Sequence, residues 1–259
     1  MKVLCYVNHY FGNPVEFEGR STDPRNAGRK EVVAACLEGL RALPGAEVYV
    51  CGIEGRALAK VDIDFPQVRD DPKLLIYASL AHMARRLEEY DYFINIEDDT
   101  LVPPQTFANV LEFDRDSLVN EILHPNRIEM DADGSPFCVD TMAMPGWTYQ
   151  RRTYRGRELR IARNPHSALL ILSRDKLRYA LRHIDVAYRG RFLVWEMDSA
   201  FAYYHSPFCL YRSYGDLAFH TVAHLDRWSP PPPRRSVLRE SLRPFVPPIV
   251  LTLRRRMRG

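Results

Sequence analysis

The chain predicts an α/β fold built on a mostly parallel, Rossmann-like central sheet flanked by helices, and three observations carry that expectation. Apolar runs of strand length at residues 2–7, 47–53 and 92–96 alternate with helical-period segments at 28–43 and 73–90. That order gives right-handed βαβ units. The third run ends abruptly in Glu97-Asp98-Asp99, placing three carboxylates at a strand's carboxyl end, where open α/β sheets take their ligands. With 259 residues, 46% of them hydrophobic, the chain has material for one large core.

Each element has its own signal. Residues 2–7 read as a buried first strand, followed by a polar loop punctuated by Gly12, Pro14, Gly19, Pro24 and Gly28. Val32, Val33, Cys36, Leu37 and Leu40 recur at helical spacing before Pro44-Gly45 stops the helix. Leu74, Leu75, Tyr77, Ala78, Leu80, Ala81, Ala84 and Leu87 give a second helix over 73–90, leading into the 92–96 strand. Pro103 and Pro104 open a short helix through Phe113, with proline in its tolerated first turn. Residues 124–157 show no period and read as a functional loop. A strand at 167–172 and a helix at 175–183 follow. The run 192–199 brings Glu196 and Asp198 to the start of an aromatic-rich helix, and 216–224 reads as a last strand carrying His220 and His224. Pro230 to Pro233 mark a linker, and the segment after it ends in a basic, partly apolar tail.

Charge and cysteine usage narrow the function. The net charge is only +3, with no Lys/Arg-rich stacking motif before the tail, so a nucleic-acid partner is not expected. Five cysteines without CxxC spacing indicate neither a disulfide framework nor a zinc site, and a reducing compartment fits. The segment before Asn8-His9 is too short for a signal region, and no run approaches the ~18 apolar residues of a membrane span. A cytoplasmic protein is expected, peripheral at the inner face of the membrane if the basic tail lies on anionic lipid.

Three adjacent carboxylates repel one another unless solvated or neutralised by a cation. Mg²⁺ or Mn²⁺ favours a few such oxygens together with substrate phosphate oxygens. An acidic turn capping the next helix gives the same letters, so the triplet alone leaves both readings open.

Taken together, the N-terminal βαβ half, the triplet, the Glu196-Met197-Asp198 motif and the late histidines resemble the GT-A class of nucleotide-sugar glycosyltransferases over roughly residues 1–228. Glu97-Asp98-Asp99 is similar to that family's DxD motif with Glu in the first position. The resemblance implies a nucleotide-binding half at 1–100 and an acceptor-binding half at 101–228. It makes Asp99 and His224 ligands of Mn²⁺ or Mg²⁺, with His220 as the alternative histidine. Glu97, Asp98, Asn8 and Arg20 would contact a nucleoside-diphosphate sugar, with His9, Tyr10 and Arg25 in range. Asp198 or Glu196 would act on the acceptor hydroxyl. The insert carrying Trp147, Tyr149, Arg151, Arg152 and Tyr154 resembles an acceptor loop, and the 229–259 tail fits a glycan or lipid-linked acceptor at a membrane. Two other readings compete: a metal-dependent phosphoesterase or nuclease, and a non-catalytic protein held to membranes by its tail.

Overall fold

The computed structural model describes residues 1–11, 28–130, 134–140, 146–164, 166, 168–183, 185–187 and 208–225. Its strands are β1 (Val3–Asn8), β2 (Ala46–Gly52), β3 (Ile63–Asp64), β4 (Tyr92–Glu97), β5 (Thr100–Leu101), β6 (Glu121–Leu123), β7 (Asn126–Met130), β8 (Pro136–Cys138), β9 (Trp147–Tyr154), β10 (Arg157–Ala162), β11 (Leu169–Ser173), β12 (Cys209–Ser213) and β13 (Thr221–His224). Its helices are α1 (Arg29–Arg41), α2 (Leu75–Ala84), α3 (Pro104–Asp116) and α4 (Arg174–Leu181).

The central sheet runs β11-β4-β1-β2-β3. β1, β2, β3 and β4 are mutually parallel, and β11 closes the row antiparallel to β4. β1 shows why a strand with no polar face forms here. Val3, Cys5 and Val7 pack on one side with Val33, Cys36, Leu37 and Leu40 of α1 and Phe107 and Val110 of α3. Leu4 and Tyr6 pack on the other side with Tyr77, Leu80 and Met83 of α2 and Leu177 of α4. A parallel strand covered by helices on both faces must be apolar throughout. Gly45, at φ +71, turns the chain from α1 into β2 where a Cβ would sit 2.3 Å from the Met1 carbonyl oxygen, so only glycine fits.

Two smaller sheets follow, ordered β6-β12-β10-β9 and β5-β13-β7-β8. They correct the expectation of an irregular 124–157 segment, whose described parts include β7, β8 and β9. The strand signal is missing there because β7 reads Asn-Arg-Ile-Glu-Met, its charged side chains turned toward polar partners. The strand expected over 216–224 is confined to Thr221–His224, and the helix expected over 73–90 to Leu75–Ala84. Among the described residues no helix is long and apolar enough to cross a membrane.

Candidate functional site

β4 delivers the triplet to the sheet's carboxyl end, and the three carboxylates then separate. Asp98 turns inward and is almost fully buried. The His9 Nε2 accepts the backbone N–H groups of Leu58, at 2.7 Å, and Ala59. The imidazole proton therefore sits on Nδ1 and is donated to Asp98 Oδ2. Arg29, the first residue of α1, donates to Asp98 Oδ1. Burial pushes the Asp98 carboxyl upward, while the His9 hydrogen bond and the Arg29 charge oppose the rise. With both oxygens held by protein partners, Asp98 ties the triplet to α1 and to the loop after β2.

Asp99 shares Arg29, which lies 3.6 Å from its Oδ2, and gains a second partner from the neighbouring sheet. β5 pairs antiparallel with β13, setting His224 opposite Thr100, and the Leu225 N–H donates to the Asp99 carbonyl at 2.8 Å. The result is an Asp99 Oδ2 to His224 Nε2 separation of 3.2 Å, with His224 Nδ1 2.6 Å from Glu129 Oε1 on β7. Helix α3 holds β13 in this register: Thr106 Oγ1 donates to the Thr221 carbonyl at 2.5 Å and Asn109 Nδ2 to the Phe219 carbonyl at 2.7 Å. Burial alone would raise the Asp99 pKa, but the His224 hydrogen bond and charge, with Arg29 and Arg127, hold it at about 2. Burial lowers the His224 pKa, and its hydrogen bonds to Asp99 and Glu129 outweigh that and raise it.

Glu97, at 41% side-chain exposure, is the most open of the three carboxylates. Behind it stands a polar chain that sequence reasoning missed. His166 Nε2 lies 3.4 Å from Glu97 and its Nδ1 lies 3.2 Å from Asp140. Arg127 donates to Asp140 at 2.9 Å, with another of its nitrogens 3.9 Å from Glu97. Fully buried Arg212 reaches Asp140 at 3.4 Å and donates to the His166 carbonyl. Burial would raise Asp140, but the Arg127 charge and the His166 hydrogen bond hold it far below the carboxylate range. No spacing rule links residues 127, 140, 166 and 212; β7 and β12 and the loops after β8 and β10 bring them together.

Of the two candidate histidines, only His224 reaches the triplet. His220 is fully buried, donates Nε2 to the Leu123 carbonyl at 3.2 Å, and burial holds its pKa at about 3. It is a neutral core histidine. Asn8 stands level with Glu97 in the β1–β4 register and donates to Asn95 and to the Ile96 carbonyl. Its buried Oδ1 and the buried Nε of Arg127 have no partner among the described residues. Arg20, Arg25, Glu196, Asp198 and the 229–259 tail lie outside the described residues.

Asp99 and His224 could hold a divalent ion between them, through one hard carboxylate oxygen and one borderline imidazole nitrogen. Cis ligands held at about 2.1 Å from such an ion lie ~3.0 Å apart, close to the 3.2 Å between Asp99 and His224. Around them Glu97, Asp98, Asp99, Glu129 and Asp140 meet Arg29, Arg127 and Arg212, an excess of two negative charges when the imidazoles are neutral. Among the described residues no three His, Cys, Asp or Glu side chains converge on one ion position. Asp99 and His224 would offer such an ion two ligands, with the remaining positions left to water or substrate oxygens.

No protein-family model matches the chain, and no curated protein does. Among solved structures, a similar chain is a glycosyltransferase involved in the glycosylation of the major capsid of PBCV-1. It is 11% identical, and the match covers 78% of this chain and 75% of that one at a TM-score of 0.31. A score that low does not establish a shared fold.

Proposed function

We propose that this protein is a metal-dependent glycosyltransferase that moves a sugar from a nucleoside-diphosphate sugar to an acceptor hydroxyl. One observation carries the reading: a carboxylate and an imidazole stand at cis-ligand distance at the carboxyl end of a parallel strand, in an acidic cluster. Asp99 and His224 would hold Mn²⁺ or Mg²⁺, and Glu129 would fix the His224 ring through Nδ1, a support that raises ligand basicity. The ion, when bound, supplies positive charge to the oxygens of a diphosphate leaving group.

The chain's own residues have separate tasks in this reading. Asp98, gripped by His9 and Arg29, sets the backbone that presents Asp99. Arg127 offers a buried Nε with no partner among the described residues, suited to a phosphate oxygen. Asn8 offers a buried acceptor for a donor hydroxyl. Asp198, with Glu196 as the neighbouring candidate, would take the acceptor's proton; a carboxylate within hydrogen-bond reach is what that step requires.

The test is release of nucleoside diphosphate from UDP- and GDP-sugars by the purified chain, with acceptor mixtures and with Mn²⁺ or a chelator. Release that needs Mn²⁺ and disappears in Asp99→Asn supports the proposal. Undiminished release in chelator, or in Asp99→Asn, overturns it.

A further inference from the structure

The register of β9, β10 and β12 assembles a surface away from the carboxylates. Arg160 of β10 lies opposite Arg151 of β9 and opposite Arg212 of β12. Side chains alternate across a sheet, so Arg151, Arg160 and Arg212 share one face. The same alternation brings Tyr214, just past β12, to that face. Trp147 joins it opposite Ala162, beyond an irregularity between Arg160 and Ala162. Ring contacts agree with this placement. The Arg160 guanidinium stacks 3.7 Å from the centroid of Tyr214, and Trp147 meets Tyr214 edge to face at 5.2 Å. Stacking of this kind holds an aromatic platform and its cation in fixed relative positions.

The face has two ends. At the inner end Arg212 is fully buried and bound to Asp140 and to the His166 carbonyl, joining the face to the chain behind Glu97. At the outer end Tyr214 is 37% exposed, and Arg151 is exposed. A strip of guanidinium and aromatic groups therefore runs from the carboxylate cluster to solvent.

We infer that the outer end of this face docks an anionic oligosaccharide, with Trp147 and Tyr214 packing against sugar rings and Arg151 and Arg160 pairing with carboxylate or phosphate groups. The C–H faces of pyranose rings are apolar and match an aromatic surface. A guanidinium pairs bidentately with a planar carboxylate or a phosphate. A nucleic-acid strand fits less well, because it needs a row of cations along its phosphates. Here there are two, Arg151 and Arg160, the second shared with Glu158 at 2.7 Å, so the face offers isolated cations beside aromatic rings rather than a row. The inference rests on the transferase reading for the role of the sugar, as acceptor, and on the face itself for the contacts.

The experiment measures binding of a short oligogalacturonate, a maltooligosaccharide of equal length and an oligothymidylate to the full chain and to Trp147→Ala, Arg160→Gln and Arg151→Gln. Arg151 is exposed, so its variant keeps the fold whatever happens to the others. The expected result is saturable binding of oligogalacturonate, weakened about tenfold or more in each variant, with the neutral sugar weaker by a similar factor. Absent oligogalacturonate binding, unchanged binding in all three variants, equal binding of the neutral sugar, or tighter binding of oligothymidylate would each overturn the inference. Mn²⁺-dependent UDP and GDP binding, measured alongside, separates the two claims. Nucleotide binding without oligogalacturonate binding removes the docking face alone, whereas the converse removes the transferase reading and leaves the face.

Discussion

Replacing His220 by glutamine should change how stability responds to acid, by an amount that follows from burial. The His220 ring has no exposed surface, one nitrogen donates to the Leu123 carbonyl, and the other is buried without a partner among the described residues. Burial holds the folded-state pKa at about 3, against 6.5 for the ordinary side chain. Below pH 6.5 the unfolded chain takes up a proton that the folded chain refuses, so this residue's contribution to stability falls as pH drops from 6.5 toward 3. Between pH 7.5 and 5.5 the loss is about 1.4 kcal/mol, taking ~1.36 kcal/mol per pK unit within that window. Glutamine can still donate to the Leu123 carbonyl and does not titrate. Urea unfolding of wild type and His220→Gln at both pH values, followed by circular dichroism, gives the stability difference at each. Wild type should lose about 1.4 kcal/mol more than the variant on acidification. A difference that stays constant to within about 0.5 kcal/mol would mean that His220 protonates inside the fold, refuting its assignment as a neutral core group.

Other perturbations test how the site is held. Arg29→Met should cost roughly 3–5 kcal/mol, because it removes the guanidinium that accompanies His9 on buried Asp98; the urea midpoint reports it. Thr106→Val deletes the donor to the Thr221 carbonyl while keeping the shape, and should cost about 1–3 kcal/mol, read as a lowered melting temperature. Glu129→Gln should leave melting nearly unchanged but weaken Mn²⁺ binding by roughly 10–100-fold, since it removes the charge that orients His224; paramagnetic resonance of free Mn²⁺ measures this directly.

The parts of the fold legible in the sequence are those built on one repeated period. Residues 92–96 and the periodic apolar residues of α1 bury whole stripes or whole strands, and such burial leaves a pattern in the letters. Strand β7 does not, because Arg127 and Glu129 spend their side chains on polar partners. The pairing of Asp99 with His224 was expected from the resemblance alone; what creates the contact is the β5–β13 register, a property of tertiary pairing. Asp98 read like its neighbours in the triplet, and only the fold distinguishes it, by bringing His9 and Arg29 onto its two oxygens. Asp140 and His166 carried no signal, since their partners lie in segments without period. The antiparallel entry of β11 was equally invisible, because a fully buried strand has the same composition in either direction.

The measurement that bears most directly on the transferase assignment is thermal unfolding of wild type and Asp99→Asn with UDP or GDP, each with and without Mn²⁺. Ligand at a hundred times its dissociation constant stabilises the native state by about 2.7 kcal/mol. Metal-dependent nucleotide binding through Asp99 would give wild type a rise in melting temperature that requires nucleotide and Mn²⁺ together, and Asp99→Asn a cooperative but unshifted melt. A nucleotide shift that is the same without Mn²⁺, or the same in Asp99→Asn, would contradict it.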